Sequence, residues 1–190
     1  MLDWMAVLRL APIIAAVRGP EQLALALQSN VRMVFLLGAD MFTLPEMTQR
    51  ALAAGKQVFV HMDLMEGVSR DAAGIRWIAR AAAPTGVLST RPQLLRVATE
   101  EGMRTVLRIF LVDASSMETG VRMVKTCAPD LVEVMPGLVT RAIRQLGGRI
   151  APPVIAGGML ERMKDVQAVL EAGALAASTS SEALWKELER

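Results

Sequence analysis

Tyrosine is absent from this 190-residue chain, and aromatic residues make up only 4% of it. Recognition of RNA by stacking bases on aromatic rings is therefore disfavoured. A single cysteine, Cys127, excludes an intramolecular disulfide, and it falls at a helix end away from any strand terminus that could use a thiolate. Only four of the 21 basic residues are lysines, Lys56, Lys125, Lys164 and Lys186. All four fall on helices or at strand starts, which disfavours Schiff-base chemistry. No apolar run approaches the roughly 18 residues that a membrane span needs. The opening Met1-Leu-Asp-Trp4 lacks the basic flank and apolar core of a secretion signal, so the cytoplasm is the expected compartment and no membrane partner is expected. Charge of either sign is in short excess, with 21 basic against 19 acidic residues and a net charge of +2. The isoelectric point of 9.1 follows from how few groups titrate just above neutrality, and does not by itself indicate nucleic acid. The arginine bias is more informative, because a planar guanidinium donates paired hydrogen bonds to phosphate.

Apolar residues supply 53% of the chain, enough for a single core, and a single domain over residues 1–190 is expected. Short apolar runs alternate with helical periods. Strands are expected at 12–17, 31–37, 57–63, 86–90, 104–112 and 131–135. The closing stretch supplies two more, one within Pro153–Gly158 before a glycine turn and one within Ala174–Ser181 before a hydroxyl-rich turn into the last helix. Runs of this kind mark a parallel sheet covered by helices. Helices ending in Ala-Leu-Ala-Ala-Gly55, Ala-Thr-Glu-Glu-Gly102 and Leu-Glu-Ala-Gly173 each stop at glycine and restart as strand, as a left-handed C-cap requires. The expected fold is α/β: a compact (β/α)8 TIM-type barrel with minimal loops and a short lead-in helix over residues 2–10 that plugs one end. An open doubly wound sheet is the alternative, but no G-x-G-x-x-G follows the first strand. Such barrels usually need about 250 residues, so a small pocket and a small ligand are expected.

The closing stretch organises the chemistry. Gly157 and Gly158 let backbone approach a ligand, and Ser178–Ser181 lead into a final helix whose first N–H groups are unpaired. Together they read as a phosphate cradle on Gly157, Gly158, Thr179 and Ser180, where barrels of this type often hold one. A plainer account is a tight turn plus a capping box from Thr179 to Glu182. The strand ends also collect Arg18, Asp40, His61, Asp63, Glu66, Arg91, Arg108, Asp113 and Glu133. His61 and Asp63 lie two apart and would share a face of one strand. Arg108 and Glu133 sit inside apolar strands, either as a structural ion pair or as ligand contacts. His61, Asp63 and Glu133 could serve as acid and base, or weakly as a metal set, but their spacing demands neither. No metal, cofactor or catalytic residue is assigned.

Seven short motifs stand in order: Ala16-Val-Arg18, Val60-His-Met-Asp-Leu64, Ser89-Thr-Arg91, Arg108-Ile-Phe-Leu-Val-Asp-Ala-Ser115, Glu133-Val-Met-Pro-Gly137, Ile155-Ala-Gly-Gly158, and Ser178-Thr-Ser180 with Leu184-Trp185. In this the chain resembles the glycerol-3-phosphate-responsive antiterminator family over residues 12–186. The resemblance implies a non-enzymatic barrel that senses sn-glycerol 3-phosphate. It also implies binding of the leader mRNA of glycerol-utilisation genes in the liganded state, letting transcription pass a terminator. On that footing the phosphate lies on Gly157, Gly158, Thr179 and Ser180, and polar contacts come from Arg18, His61, Asp63, Arg91, Arg108 and Glu133. Contact with RNA would fall to arginine sets on helices, Arg76 with Arg80, or Arg141, Arg144 and Arg149, which otherwise read as solvated faces. The other functional reading is a phosphate-dependent barrel enzyme, a phosphodiesterase, isomerase or lyase acting on a small phosphorylated substrate. The oligomeric state stays open, a homo-oligomer among its options.

Overall fold

The structure is a computed structural model and describes residues 4–187. Eight parallel strands close into a barrel in sequence order. Chain order is α1 (Trp4–Leu10), β1 (Ile13–Val17), α2 (Pro20–Gln28), β2 (Met33–Leu36), α3 (Leu44–Ala53), β3 (Gln57–His61), α4 (Ala72–Ala81), β4 (Gly86–Ser89) and α5 (Pro92–Glu100). There follow β5 (Arg104–Phe110), α6 (Ala114–Cys127), β6 (Leu131–Met135), α7 (Thr140–Gly147), β7 (Val154–Gly157), α8 (Met163–Glu171), β8 (Ala176–Thr179) and α9 (Glu182–Glu187). The expected barrel is therefore present. The start of the lead-in helix, Leu2 and Asp3, lies outside the described residues.

Alternation along each strand divides the apolar residues between two cores. One face of the strands, with Ile13, Ala15, Val17, Val34 and Val58, packs against the helices. The other fills the barrel with Ile14, Met33, Phe35, Phe59, Leu88, Val106, Leu131, Ile155 and Ala176, and the fully buried Leu8 of α1 joins that cluster. Leu8 meets residues that open their strands, so the lead-in helix closes the N-terminal end. Gly55, Gly102 and Gly173 all take positive φ, at +74°, +79° and +98°, so the three helix stops are left-handed caps as expected.

Two strands end two residues earlier than the sequence suggests. β3 stops at His61, and Met62–Leu64 form a 3-10 turn. The two-residue alternation fails there, and Asp63 does not share a strand face with His61. β5 stops at Phe110, and Asp113 caps α6 by accepting from Ser116 N–H at 2.7 Å.

Candidate functional site

Two residues beyond the apolar barrel layer, the same strands present Ala16, His61, Arg108, Glu133, Gly157 and Ser178. This is the top layer of the interior, and it is polar. Arg108 and Glu133 are register partners on β5 and β6. Arg108 Nε donates to Glu133 Oε2 at 2.6 Å, with the two side chains 8% and 0% exposed. The other carboxylate oxygen, Oε1, accepts from the Ser178 hydroxyl on β8. Glu133 thus reaches past β7, and only a residue without a side chain lets it through. A Cβ on Gly157 would lie 2.5 Å from Glu133 Oε1 and 2.6 Å from Ser178 Oγ. The missing side chain at Gly157 therefore leaves room for the Glu133–Ser178 bond.

Above this layer lies a cavity of about 960 Å³, lined by Arg18, Gly38, Glu66, Arg108, Glu133, Gly158, Glu161 and Ser178–Ser181 among others. It brings together Arg18, Arg108, Glu133, Gly158, Thr179 and Ser180 of the residues expected at the site. The terminal nitrogens of Arg108 make no hydrogen bond among the described residues, so a buried guanidinium held at Nε keeps its other donors for the cavity. The exposed guanidinium of Arg18 also has no partner among the described residues. Gly158 takes φ +81°, a conformation that favours glycine.

Other expected residues stand elsewhere. The Thr179 hydroxyl donates to Leu160 O at 2.6 Å and accepts from Ser181 N–H at 3.0 Å. It braces the β7–α8 loop against the β8–α9 turn, so its side chain is committed within the protein, and the capping box to Glu182 does not form. Asp63 is likewise consumed: it accepts from Thr90 N–H at 2.7 Å, from the Ser89 and Thr90 hydroxyls at 3.1 Å, and lies 3.5 Å from Arg91 Nε. Asp63 and Arg91 therefore pin the β3 end to the β4–α5 turn, outside the cavity lining. His61 is 3% exposed and also outside that lining. Its Nδ1 has no hydrogen-bond partner and sits 3.9 Å from Asp63. Burial first, and then the positive charge of Arg108, lower its pKa from 6.5 to about 4, against an opposing pull from Asp63, so it is neutral at pH 7. The acid–base pairing of His61 with Asp63 or Glu133 thus has no shared ligand space, since both Glu133 oxygens are engaged. Among the described residues no group of three His, Cys, Asp or Glu is placed to hold a metal. Burial raises the Cys127 thiol to about 11, keeping it protonated.

The arginines expected to face RNA divide as well. Arg76 Nε bonds Glu101 at 3.3 Å, and Arg149 makes a bidentate pair with Glu118 at 2.7 and 2.8 Å. Arg144 Nη2 donates to Thr140 at 3.4 Å, whereas Arg80 and Arg141 make no such bond among the described residues. Reading the sequence did not find Glu161 or the part played by Ser178. The position of Ser178, two past the inward-facing Ala176, was its available signal. No described helix is long and apolar enough to cross a membrane.

Comparison with known proteins agrees with the motif order. The model of the family described as glycerol-3-phosphate responsive antiterminator matches residues 13–185. An uncharacterized protein of Escherichia coli strain K12, YgcP, is 31% identical over 178 residues, covering 94% of this chain and 93% of that protein. The crystal structure of a glycerol uptake operon antiterminator regulatory protein from Listeria monocytogenes superposes with a TM-score of 0.88 at 29% identity, covering 92% of this chain and 95% of that one. A glycerol uptake operon antiterminator-related protein from Thermotoga maritima matches with a TM-score of 0.81 at 32% identity, covering 92% and 97%. With its barrel, its polar top layer and a match spanning nearly its whole length, this chain belongs to the glycerol-3-phosphate responsive antiterminator family.

Proposed function

We propose that this protein senses sn-glycerol 3-phosphate in the cytoplasm and, when liganded, binds the leader mRNA of glycerol-utilisation genes to promote antitermination. The observation that carries the ligand half is Arg108. An arginine with 8% side-chain exposure is costly to bury, and Glu133 occupies only its Nε. Its remaining donors face a cavity whose wall includes Gly158, Ser180 and the free Arg18. Fixed donors of this kind suit a phosphate. The ligand's phosphate lies between the Gly158 turn and the Ser180 turn, with Arg18 closing over it. The Gly157 and Thr179 side of the cradle contributes through position: one admits the Glu133–Ser178 bond and the other holds the two turns together.

The RNA half rests on family membership and on the arginines left unpaired, Arg80 and Arg141. A gel shift of glycerol-gene leader RNA, with and without glycerol 3-phosphate, tests the whole reading. Retardation should require the ligand and weaken as salt rises, because each phosphate contact releases counterions. Retardation indifferent to the ligand, or none at low salt, refutes it. Calorimetric titration with glycerol 3-phosphate tests the ligand half alone.

A further inference from the structure

Once internal bonds are counted, the cavity holds carboxylates that a bare phosphate does not use. Arg108 is neutralised by Glu133, which leaves Arg18 facing two carboxylates, Glu66 and Glu161, neither of which has a partner among the described residues. The two acids lie at opposite ends of an arc of rim loops. Glu161 follows Gly158 and Leu160 on the phosphate side. From there the wall runs through Ser178–Ser181, Arg18 and Gly38 to Glu66, after β3. The main chain at Glu66 is also held in place, which fixes where its exposed carboxylate starts from. Its N–H donates to Ala39 O at 3.1 Å, its carbonyl accepts from Met41 N–H at 3.0 Å, and it bridges to Asp40. Asp40 in turn caps Phe42 and Thr43, with both N–H contacts at 2.8 Å. A carboxylate so placed has acceptors only, and it stabilises a ligand that offers hydroxyl donors.

Resting on the phosphate reading above, we infer that Glu66 is the specificity-determining residue of this site. It accepts hydrogen bonds from the hydroxyl end of a phosphorylated polyol and repels phosphorylated ligands whose far end is a carboxylate or absent. The test is calorimetric titration of the wild type, Glu66→Gln and Glu161→Gln with sn-glycerol 3-phosphate, inorganic phosphate and 3-phosphoglycerate, with melting temperatures as a check of folding. In Glu66→Gln, affinity for glycerol 3-phosphate should fall about tenfold as a charge-assisted bond becomes a neutral one. Affinity for 3-phosphoglycerate should rise roughly fivefold as like-charge repulsion is removed. Glu161→Gln should move all three ligands in one direction by a similar factor. An unchanged ranking in Glu66→Gln, with glycerol 3-phosphate and phosphate still binding, overturns the assignment and spares the cradle. A reordering caused by Glu161→Gln instead also overturns it. Failure of the wild type to bind either glycerol 3-phosphate or phosphate removes the phosphate reading itself, and this inference with it.

Discussion

Replacing Gly157 by alanine isolates the arrangement on which the site is built. The new Cβ would stand 2.5 Å from Glu133 Oε1 and 2.6 Å from Ser178 Oγ, inside the contact distance of either atom. Something must move, and the strand pairing of β7 to both neighbours leaves the two side chains as the yielding parts. Overpacking a tight interior costs about 1–3 kcal/mol. Loss of the hydroxyl bond to a buried carboxylate costs roughly 1.5–3 kcal/mol more. A total of about 2.5–6 kcal/mol corresponds to a melting temperature lowered by about 5–24 °C for a domain of this size. Urea and thermal unfolding of Gly157→Ala, Ser178→Ala and the double variant measure it. The double variant should be less destabilised than the sum of the singles by at least about 1 kcal/mol, because both remove the same bond. A Gly157→Ala protein that melts with the wild type refutes the reasoning. If it also lost ligand binding, the glycine would be bare for the ligand after all.

Replacing Arg108 by leucine leaves the Glu133 carboxylate buried beside a single hydroxyl, and should cost about 3–5 kcal/mol in urea unfolding while abolishing calorimetric phosphate binding. The lowered pKa of His61, about 4 against 6.5 unfolded, means the unfolded chain binds the extra proton between those values. Its contribution is present in full above about pH 6.5 and lost as pH falls through 4, roughly 3 kcal/mol in all, and unfolding of His61→Leu across pH 7 to 4 should show that much less pH dependence. Gly74→Ala would place a Cβ 1.8 Å from the Ser69 carbonyl oxygen, so the turn before α4 must shift, and its melting temperature should fall well below that of Gly147→Ala, where no atom lies within 4 Å and the backbone is not left-handed. In gel shifts, Arg141→Ala should weaken leader RNA binding and lower the salt slope by about one. Arg149→Ala, whose guanidinium already pairs with Glu118, should change it less.

The order of elements, the closed barrel and the glycine-capped helices were legible because they rest on local periodicity and on backbone conformations only glycine adopts readily. The inward positions of Arg108 and Glu133 were legible too, as charges inside apolar strands. Their partners were not. That Glu133 spends its second oxygen on Ser178 depends on strands 45 residues apart meeting across a glycine, which no spacing reveals. Asp63 shows the opposite case: two residues from His61 in a strand-like run, it leaves the strand through a 3-10 turn, where three donors from Ser89 and Thr90 meet its carboxylate. Thr179 read as a cap until the fold brought the Leu160 carbonyl to its hydroxyl. Local chemistry thus determined which groups reach the rim. Closure of the barrel decided which of them stay free for a ligand, because a polar group's availability depends on neighbours that only the tertiary structure supplies.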